Sequence, residues 1–151
     1  MRFQQIKDLL RYLEQVHQML SRLYGRLERE ADAERSRLLL AYLRGREDAA
    51  MGHLADYEQQ VGSAVADTWL ELGFAEDLIA GINRCELSSA MTTDEIVATA
   101  TAFEEKLVSE LSRLARECPT DNTTRVLDAL ATLEQQRLTR LVHGAHRLDD
   151  V

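Results

Sequence analysis

Four stretches of this sequence carry an apolar stripe, that is, apolar residues at helical spacing, with one ionisable residue at its centre. At about 100° per residue, the stripe around Glu104 lies within roughly 60° of that glutamate. Its members are Val97, Ala100, Leu107, Val108, Leu111 and Ala115. His17, Glu47 and Glu134 are the centres of the other three stripes. Folding buries such stripes, and a buried charge is costly unless it is paired or binds a metal. The four residues therefore predict one shared interior site.

The composition is typical of a helical protein. Proline occurs once and glycine seven times, and aromatic residues make up only 5% of the chain. Leu, Ala, Arg and Glu are good helix formers, whereas sandwiches and barrels rely on aromatic and β-branched residues. A length of 151 residues fits one domain, so we expect residues 1–151 to form a single helical bundle.

Charge and hydropathy argue against nucleic-acid binding, membrane insertion and secretion. The net charge of −8 argues against nucleic-acid binding, because a basic face is the usual requirement. No stretch reaches the roughly 20 apolar residues that span a membrane, and the first residues lack the apolar core of a signal peptide. We therefore expect a cytoplasmic protein in which Cys85 and Cys118, which are not in a CxxC motif, are reduced thiols.

The periodicity predicts four long helices and one long crossover. The first two helices are separated by only a few residues, so they should be antiparallel neighbours. The segment 65–91 is too long for a tight hairpin and should cross the length of the bundle, with a short helix inside it. The predicted helices cover about 3–30, 34–66, 92–117 and 121–147, and the short helix covers about 75–83.

Local signals support these helix boundaries. Asp32 is expected to cap the second helix. Thr92 and Glu95 form a capping box at the start of the third, and Pro119 ends it, because proline disfavours helix in the preceding residue. Two long helices, a crossover and two more long helices make up the connectivity of an all-α, ferritin-like four-helix bundle.

The sequence also resembles the ferritin-like superfamily, and within it the rubrerythrin-type members. Residues 39–47 (LLAYLRGRE) and 102–106 (AFEEK) read like the second and third helices of that family. Its di-iron pattern has one Glu on the first and third helices and Glu-x-x-His on the second and fourth. The resemblance implies a site that handles peroxide or dioxygen.

This chain departs from the di-iron pattern at three positions. His17 stands where the first Glu is expected, and Ala50 and Arg137 stand where the two histidines are expected. The remaining positions match the family: Glu47, Glu104 and Glu134. Both usual imidazole ligands are therefore missing, and the di-iron motif is degenerate.

Three interpretations of the interior site remain open. A guanidinium cannot bind metal but can neutralise carboxylates, so Arg137 and protonated His17 can balance the glutamates in a metal-free network. Alternatively, His17 with Glu47, Glu104 and Glu134 binds one divalent ion of iron, manganese or zinc. The third interpretation is a working di-metal centre, although the chain departs from the family's ligands at three of the six positions. Tyr24 is either a hydrogen-bond donor behind the site or plain core.

The leading functional interpretation is a ferritin-like binding or structural module without a working di-iron centre. Its alternative is a metal-dependent oxidoreductase, or a metal-binding protein, that uses His17 and the interior glutamates. Whether the protein is an enzyme stays open. His53, His143 and His146 project away from the apolar stripes, so we expect them to be solvated rather than to act as ligands.

A second, smaller row of apolar residues lies on the back of the first two helices. Such a row predicts either a homodimer interface or a surface that the crossover covers. The homodimer would form through five residues: Tyr12, Met19, Leu23, Leu38 and Tyr42.

Overall fold

The computed structural model describes the backbone of residues 1–149 and the side chains of residues 1–145. Within these residues it contains two short strands and five helices, of which four are long. The elements are β1 (Arg2–Gln5), α1 (Ile6–Glu30), α2 (Glu34–Ala66), β2 (Trp69–Gly73), α3 (Leu78–Arg84), α4 (Thr93–Glu117) and α5 (Asp121–Asp149). The predicted all-α bundle with one crossover and a short helix inside it is confirmed. No helix in the described chain is long and apolar enough to cross a membrane.

The bundle consists of two helical hairpins. Helix α1 packs along α2 and α4 packs along α5, as short connections between consecutive helices require. Each long helix buries its apolar stripe against the others, because burial of apolar surface is the main favourable contribution to folding. Leucines dominate the resulting core, including Leu13, Leu40, Leu107, Leu111 and Leu127.

The structure confirms one predicted helix N-cap and contradicts another. Thr92 caps α4 as predicted, since its hydroxyl accepts a hydrogen bond from the backbone amide of Glu95 at 3.1 Å. Asp32 does not cap α2. The N-cap is Ala33, which has no side-chain cap, and the backbone amide of Asp32 donates to the carbonyl of Ser89 at 2.9 Å. This loop is therefore held by the end of the crossover rather than by its own side chain.

The first helix begins later than predicted because residues 2–5 form a strand. Strand β1 pairs with β2 of the crossover in an antiparallel ribbon, with Phe3 opposite Leu72. A ring cluster of Phe3, Tyr12 and Phe74 lies beneath it, with centroids 5.3–5.4 Å apart. Gly73 allows the close approach of the two strands, because a side chain there would collide with the Met1 backbone.

Polar side chains of α4 fasten the crossover to the bundle. The Glu110 carboxylate accepts a hydrogen bond from the Ala75 amide at 2.5 Å, and Arg113 donates to the Gly73 carbonyl at 2.7 Å. Arg113 and Glu110 also pair with each other at 3.3 Å. The polar face of α4 is therefore partly an attachment surface and not simply solvated.

The predicted dimer face is divided in the structure. Tyr12 and Leu23 are only 3% and 4% exposed, and Met19 is partly buried, so these residues are not available on the surface of the chain. Tyr12 lies under the crossover in the ring cluster. By contrast, Leu38 and Tyr42 are 59% and 40% exposed. The homodimer stays a prediction, and its interface is reduced to the two residues on α2.

Candidate functional site

Each of the four long helices contributes to one buried polar cluster. His17 comes from α1, Glu47 from α2, Glu104 from α4, and Glu134 with Arg137 from α5. The first four side chains are between 0% and 3% exposed. The ionisable centres of the four apolar stripes therefore meet in the middle of the bundle. The cluster as defined by these five residues is called the interior network below.

His17 connects the two helical hairpins. Its Nδ1 lies 2.5 Å from Oε2 of Glu47, and its Nε2 lies 2.8 Å from Oε1 of Glu134. An imidazole that donates to a carboxylate from each ring nitrogen is protonated. Burial opposes this charge, but the carboxylates of Glu134 and Glu47 outweigh it and raise the pKa of His17 to about 10.

Arg137 lies among the three carboxylates of the network. Its Nη2 is 3.4 Å from Glu47 Oε2 and 3.3 Å from Glu104 Oε1. Its Nε is 3.4 Å from Glu134 Oε2. Burial opposes the charge of the guanidinium, but the three surrounding carboxylates raise the pKa of Arg137 above its ordinary value. Arg137 therefore forms ion pairs with all three glutamates of the network.

Backbone contacts fix the position of Arg137. Its Nη1 donates to the carbonyl of Arg46 at 3.1 Å, and Arg46 in turn donates to the carbonyl of Arg137 at 2.6 Å. This reciprocal pair joins α2 to α5 beside the network. Sequence reasoning missed Arg46, since nothing distinguishes it from the other arginines except that it precedes Glu47.

Glu104 is the glutamate of the network whose pKa is raised. Burial raises the pKa of Glu104 to about 8, and the nearby carboxylates of Glu134 and Glu47 add to the rise. Burial also acts to raise the pKa of Glu134, but the charge and hydrogen bond of His17 and the charge of Arg137 lower it overall. The raised pKa of Glu104 favours its neutral form, so the two cationic groups of the network face two other glutamates.

Side chains of the network also offer a possible set of ligands for one metal cation. His17, Glu47 and Glu104 each offer a ligand atom, and these atoms lie within 4.8 Å of one another. Oε2 of Glu104 and Oε2 of Glu134 are buried without a hydrogen-bond donor. However, both nitrogens of His17 are already engaged, and the two positions that carry histidine in the di-iron pattern are Ala50 and Arg137. The two histidine ligands of the di-iron pattern are therefore absent from these positions.

A cavity of about 390 Å³ between α2 and α5 adjoins the network. Arg137 and Glu134 form its inner wall, and Leu54, Leu133 and Arg140 belong to the other walls. Arg137 is 12% exposed, which is more than any glutamate of the network. The network is therefore reached from this cavity through Arg137 and Glu134.

The remaining candidates lie around or away from the network. Tyr24 is buried, and its pKa is raised well above the ordinary value by burial and by the charges of Glu47 and Glu104. Its role as a donor behind the site stays a prediction. His53 and His143 are exposed, as expected, and the side chain of His146 lies outside the described residues.

Comparisons with known proteins support the fold. No protein-family model and no curated protein matches the sequence. Among solved structures, the chain is similar to a Thermotoga maritima protein provisionally described as a ferritin-like diiron-carboxylate protein. The match has a TM-score of 0.57 at 15% identity and covers 97% of both chains. The protein therefore has a ferritin-like fold, and a likeness at this identity establishes the fold alone.

Proposed function

We propose that this protein is a ferritin-like binding or structural module whose interior is held together by its own charges instead of a di-iron centre. The observation that carries the proposal is the position of Arg137. It stands where the di-iron pattern places a histidine and contacts Glu47, Glu104 and Glu134 at 3.3–3.4 Å. A side chain that serves as a metal ligand in that pattern is replaced by a permanent cation.

Electrostatics favours a network without metal. Arg137 does not lose its proton in proteins, so a divalent cation among the same carboxylates would face its charge at close range. His17 would also have to give up a proton and a carboxylate contact before it could bind a metal. Each carboxylate already has an ion-pair contact with His17 or Arg137, so a metal is not required to compensate their charge.

The cavity beside Arg137 supports a binding role. Its volume of about 390 Å³ falls within the range of small-molecule sites, and Leu54 and Leu133 give it apolar walls. Arg137 and Arg140 line it as well. A ligand that combines a negative charge with an apolar body would match this lining.

A mononuclear metal site is the second candidate, because His17, Glu47 and Glu104 place three ligand atoms within 4.8 Å of one another. Imidazole together with carboxylates suits iron, manganese or zinc. On this alternative the protein is a metal-dependent oxidoreductase or a metal-binding protein. Glu104 Oε2, which lacks a hydrogen-bond donor, would be a natural ligand atom.

Elemental analysis of protein purified without a metal-affinity tag separates these functions. The charge network predicts far less than one metal ion per chain and a melting temperature that a chelator does not change. Two ions of iron or manganese per chain would contradict the proposal. One ion that is lost in both His17→Ala and Glu104→Ala, but kept in the exposed-site control His53→Ala, would establish the mononuclear alternative.

We further propose a cytoplasmic homodimer. Cys85 and Cys118 are free, which fits a reducing compartment. Leu38 and Tyr42 lie one helical turn apart on the exposed side of α2 and offer a self-complementary contact. Light scattering coupled to gel filtration should give twice the chain mass, and Leu38→Glu should give the single-chain mass. A wild-type chain that elutes as a monomer at all concentrations would exclude the dimer.

A further inference from the structure

A groove rich in arginine lies over α1, between α2 and α3. Its volume is about 530 Å³, which is within the range of small-molecule sites. Helix α3 contributes an apolar wall through Ile82. The arginines that line it are Arg22, Arg26, Arg29 and Arg44, and no acidic side chain of the described residues lines it. This is notable in a chain with a net charge of −8.

Gly25 forms the floor of the groove. It is buried within α1, where glycine is a poorer helix former than alanine. A Cβ at this position would lie 3.6 Å from Cδ of Arg44, 3.8 Å from Nη1 of Arg29 and 3.8 Å from Nη1 of Arg44. The two Nη1 atoms are therefore at most twice 3.8 Å apart and lie over the same turn of helix.

Only some of the arginines in the groove have a partner within the part of the protein that the structure describes. Arg26 is fixed by the carbonyl of Cys85 at 3.0 Å, and Arg44 pairs with Glu28 at 2.9 Å. Arg22 and Arg29 have no carboxylate partner among the described side chains. Two arginines that are held in place and two that are unpaired thus line one recess.

This arrangement has the chemistry of a phosphate site. Guanidiniums bind phosphate through paired, charge-assisted hydrogen bonds, and like charges that converge are stabilised by an anion between them. Met19 and Ile82 add apolar surface beside the arginines. We propose that this groove binds a phosphorylated small molecule, with its phosphate groups over Gly25 between Arg29 and Arg44 and its organic part against Met19 and Ile82.

Titration calorimetry of the full chain with inorganic pyrophosphate tests the charge requirement. We expect one site per chain and a loss of affinity of about tenfold or more in Arg22→Gln/Arg29→Gln, because charge-assisted hydrogen bonds are removed. The control is Arg11→Gln/Arg125→Gln, which changes the net charge equally at two exposed positions outside the groove. It should bind within about twofold of the wild type.

A second pair of variants tests the recess itself. Gly25→Leu fills the patch between Arg29 and Arg44, and we expect it to abolish pyrophosphate binding. Its control is Gly52→Leu, because Gly52 is also helical and a Cβ at that position would meet no atom within 4 Å. Gly52→Leu should bind normally. Circular dichroism melts of both variants verify that each is folded before binding is compared.

Several results would overturn the proposal. They are the absence of pyrophosphate binding at millimolar concentration, an equal loss in the Arg11→Gln/Arg125→Gln control, and undiminished binding in folded Gly25→Leu. Loss of binding in Arg140→Gln, with normal binding in the groove variants, would assign the anion to the cavity beside Arg137 instead. None of these results depends on whether the interior network contains a metal.

Discussion

The interior network and the groove over Gly25 both contain arginine, but they differ in whether the protein supplies carboxylates to pair with it. In the interior, Arg137 and His17 each contact at least two carboxylates, and the charges balance at neutral pH. In the groove, Arg22 and Arg29 lack such partners within the described side chains. Both of these arginines are exposed, whereas the interior carboxylates are almost completely buried.

The difference follows from solvent. Water screens an exposed guanidinium, so the groove tolerates excess positive charge at little cost to the fold. A buried charge has no water around it and has to be compensated by the chain itself. Balanced charge therefore indicates a site that the fold needs, and unbalanced charge near the surface indicates a site that is open to an outside anion.

The largest expected effect is that of Arg137→Leu, which strands buried carboxylates. Breaking a buried ion pair from one side typically costs about 3–5 kcal/mol of unfolding free energy. The loss should be largest near neutral pH and smaller in acid, where the stranded glutamates bind protons. Denaturant unfolding measures it. Arg140→Leu, one turn further along α5 at an exposed position, should cost less than about 0.5 kcal/mol.

Equal losses in Arg137→Leu and Arg140→Leu would show that burial does not set the cost, and the contrast between the two regions would fail. A chelator-sensitive wild type with an unaffected Arg137→Leu would likewise contradict the metal-free network. In that case a bound metal, rather than the guanidinium, would stabilise the carboxylates.

Removing charges of both signs together should cost less than removing one. The triple variant Glu104→Leu/Glu134→Leu/Arg137→Met leaves only the ion pair of His17 with Glu47, in which the charges balance. We expect it to lose less than about half of what Arg137→Leu loses, because no charge is left unpaired. The same denaturant series measures this, and a triple variant less stable than Arg137→Leu would contradict the balance.

Stability should fall as the pH rises between about 6.5 and 8. His17 has a pKa of about 10 in the folded chain against 6.5 in the reference state, so its contribution is complete below 6.5 and is lost as the pH rises through 10. Glu104 has a pKa of about 8 against 4.5, so the folded chain retains a proton there that the unfolded chain has released. Both groups make the folded state bind more protons, and the expected slope is about 2 kcal/mol per pH unit.

Glu104→Gln serves as the control for this pH dependence. It removes the titration of Glu104 and should flatten the decline between pH 6.5 and 8 without abolishing it, because His17 still contributes. Unfolding free energies at several pH values provide the measurement. A stability that rises with pH across this window would mean that His17 is neutral in the folded chain.

The smallest expected effect lies in the groove. Arg22→Gln/Arg29→Gln should change the free energy of unfolding by no more than about 0.5 kcal/mol, as is usual for exposed positions. A loss of several kcal/mol, measured by the same denaturant unfolding, would show that these arginines support the fold. The charge difference between the two regions would then carry no information about ligands.

Much of the architecture could be predicted because it depends on local patterns. The helix cap at Thr92 and the two hairpins follow from neighbouring residues and short connections. The strand pair β1–β2 could not be predicted, because its two halves are more than 60 residues apart and each is too short to show a period. Periodicity leaves open whether Tyr12 and Leu23 are covered or exposed for a related reason, since the crossover is distant from them in sequence.

The sequence by itself determined the four long helices and the residues at the centres of their stripes, because helical periodicity places those residues on the faces that folding buries. Only the tertiary structure decided which side chains pair with each other. It put His17 between Glu47 and Glu134, brought Arg137 against three carboxylates, and gathered four arginines over Gly25. The reason is that ion pairing depends on distances of a few ångströms between helices, which periodicity along a single helix does not fix.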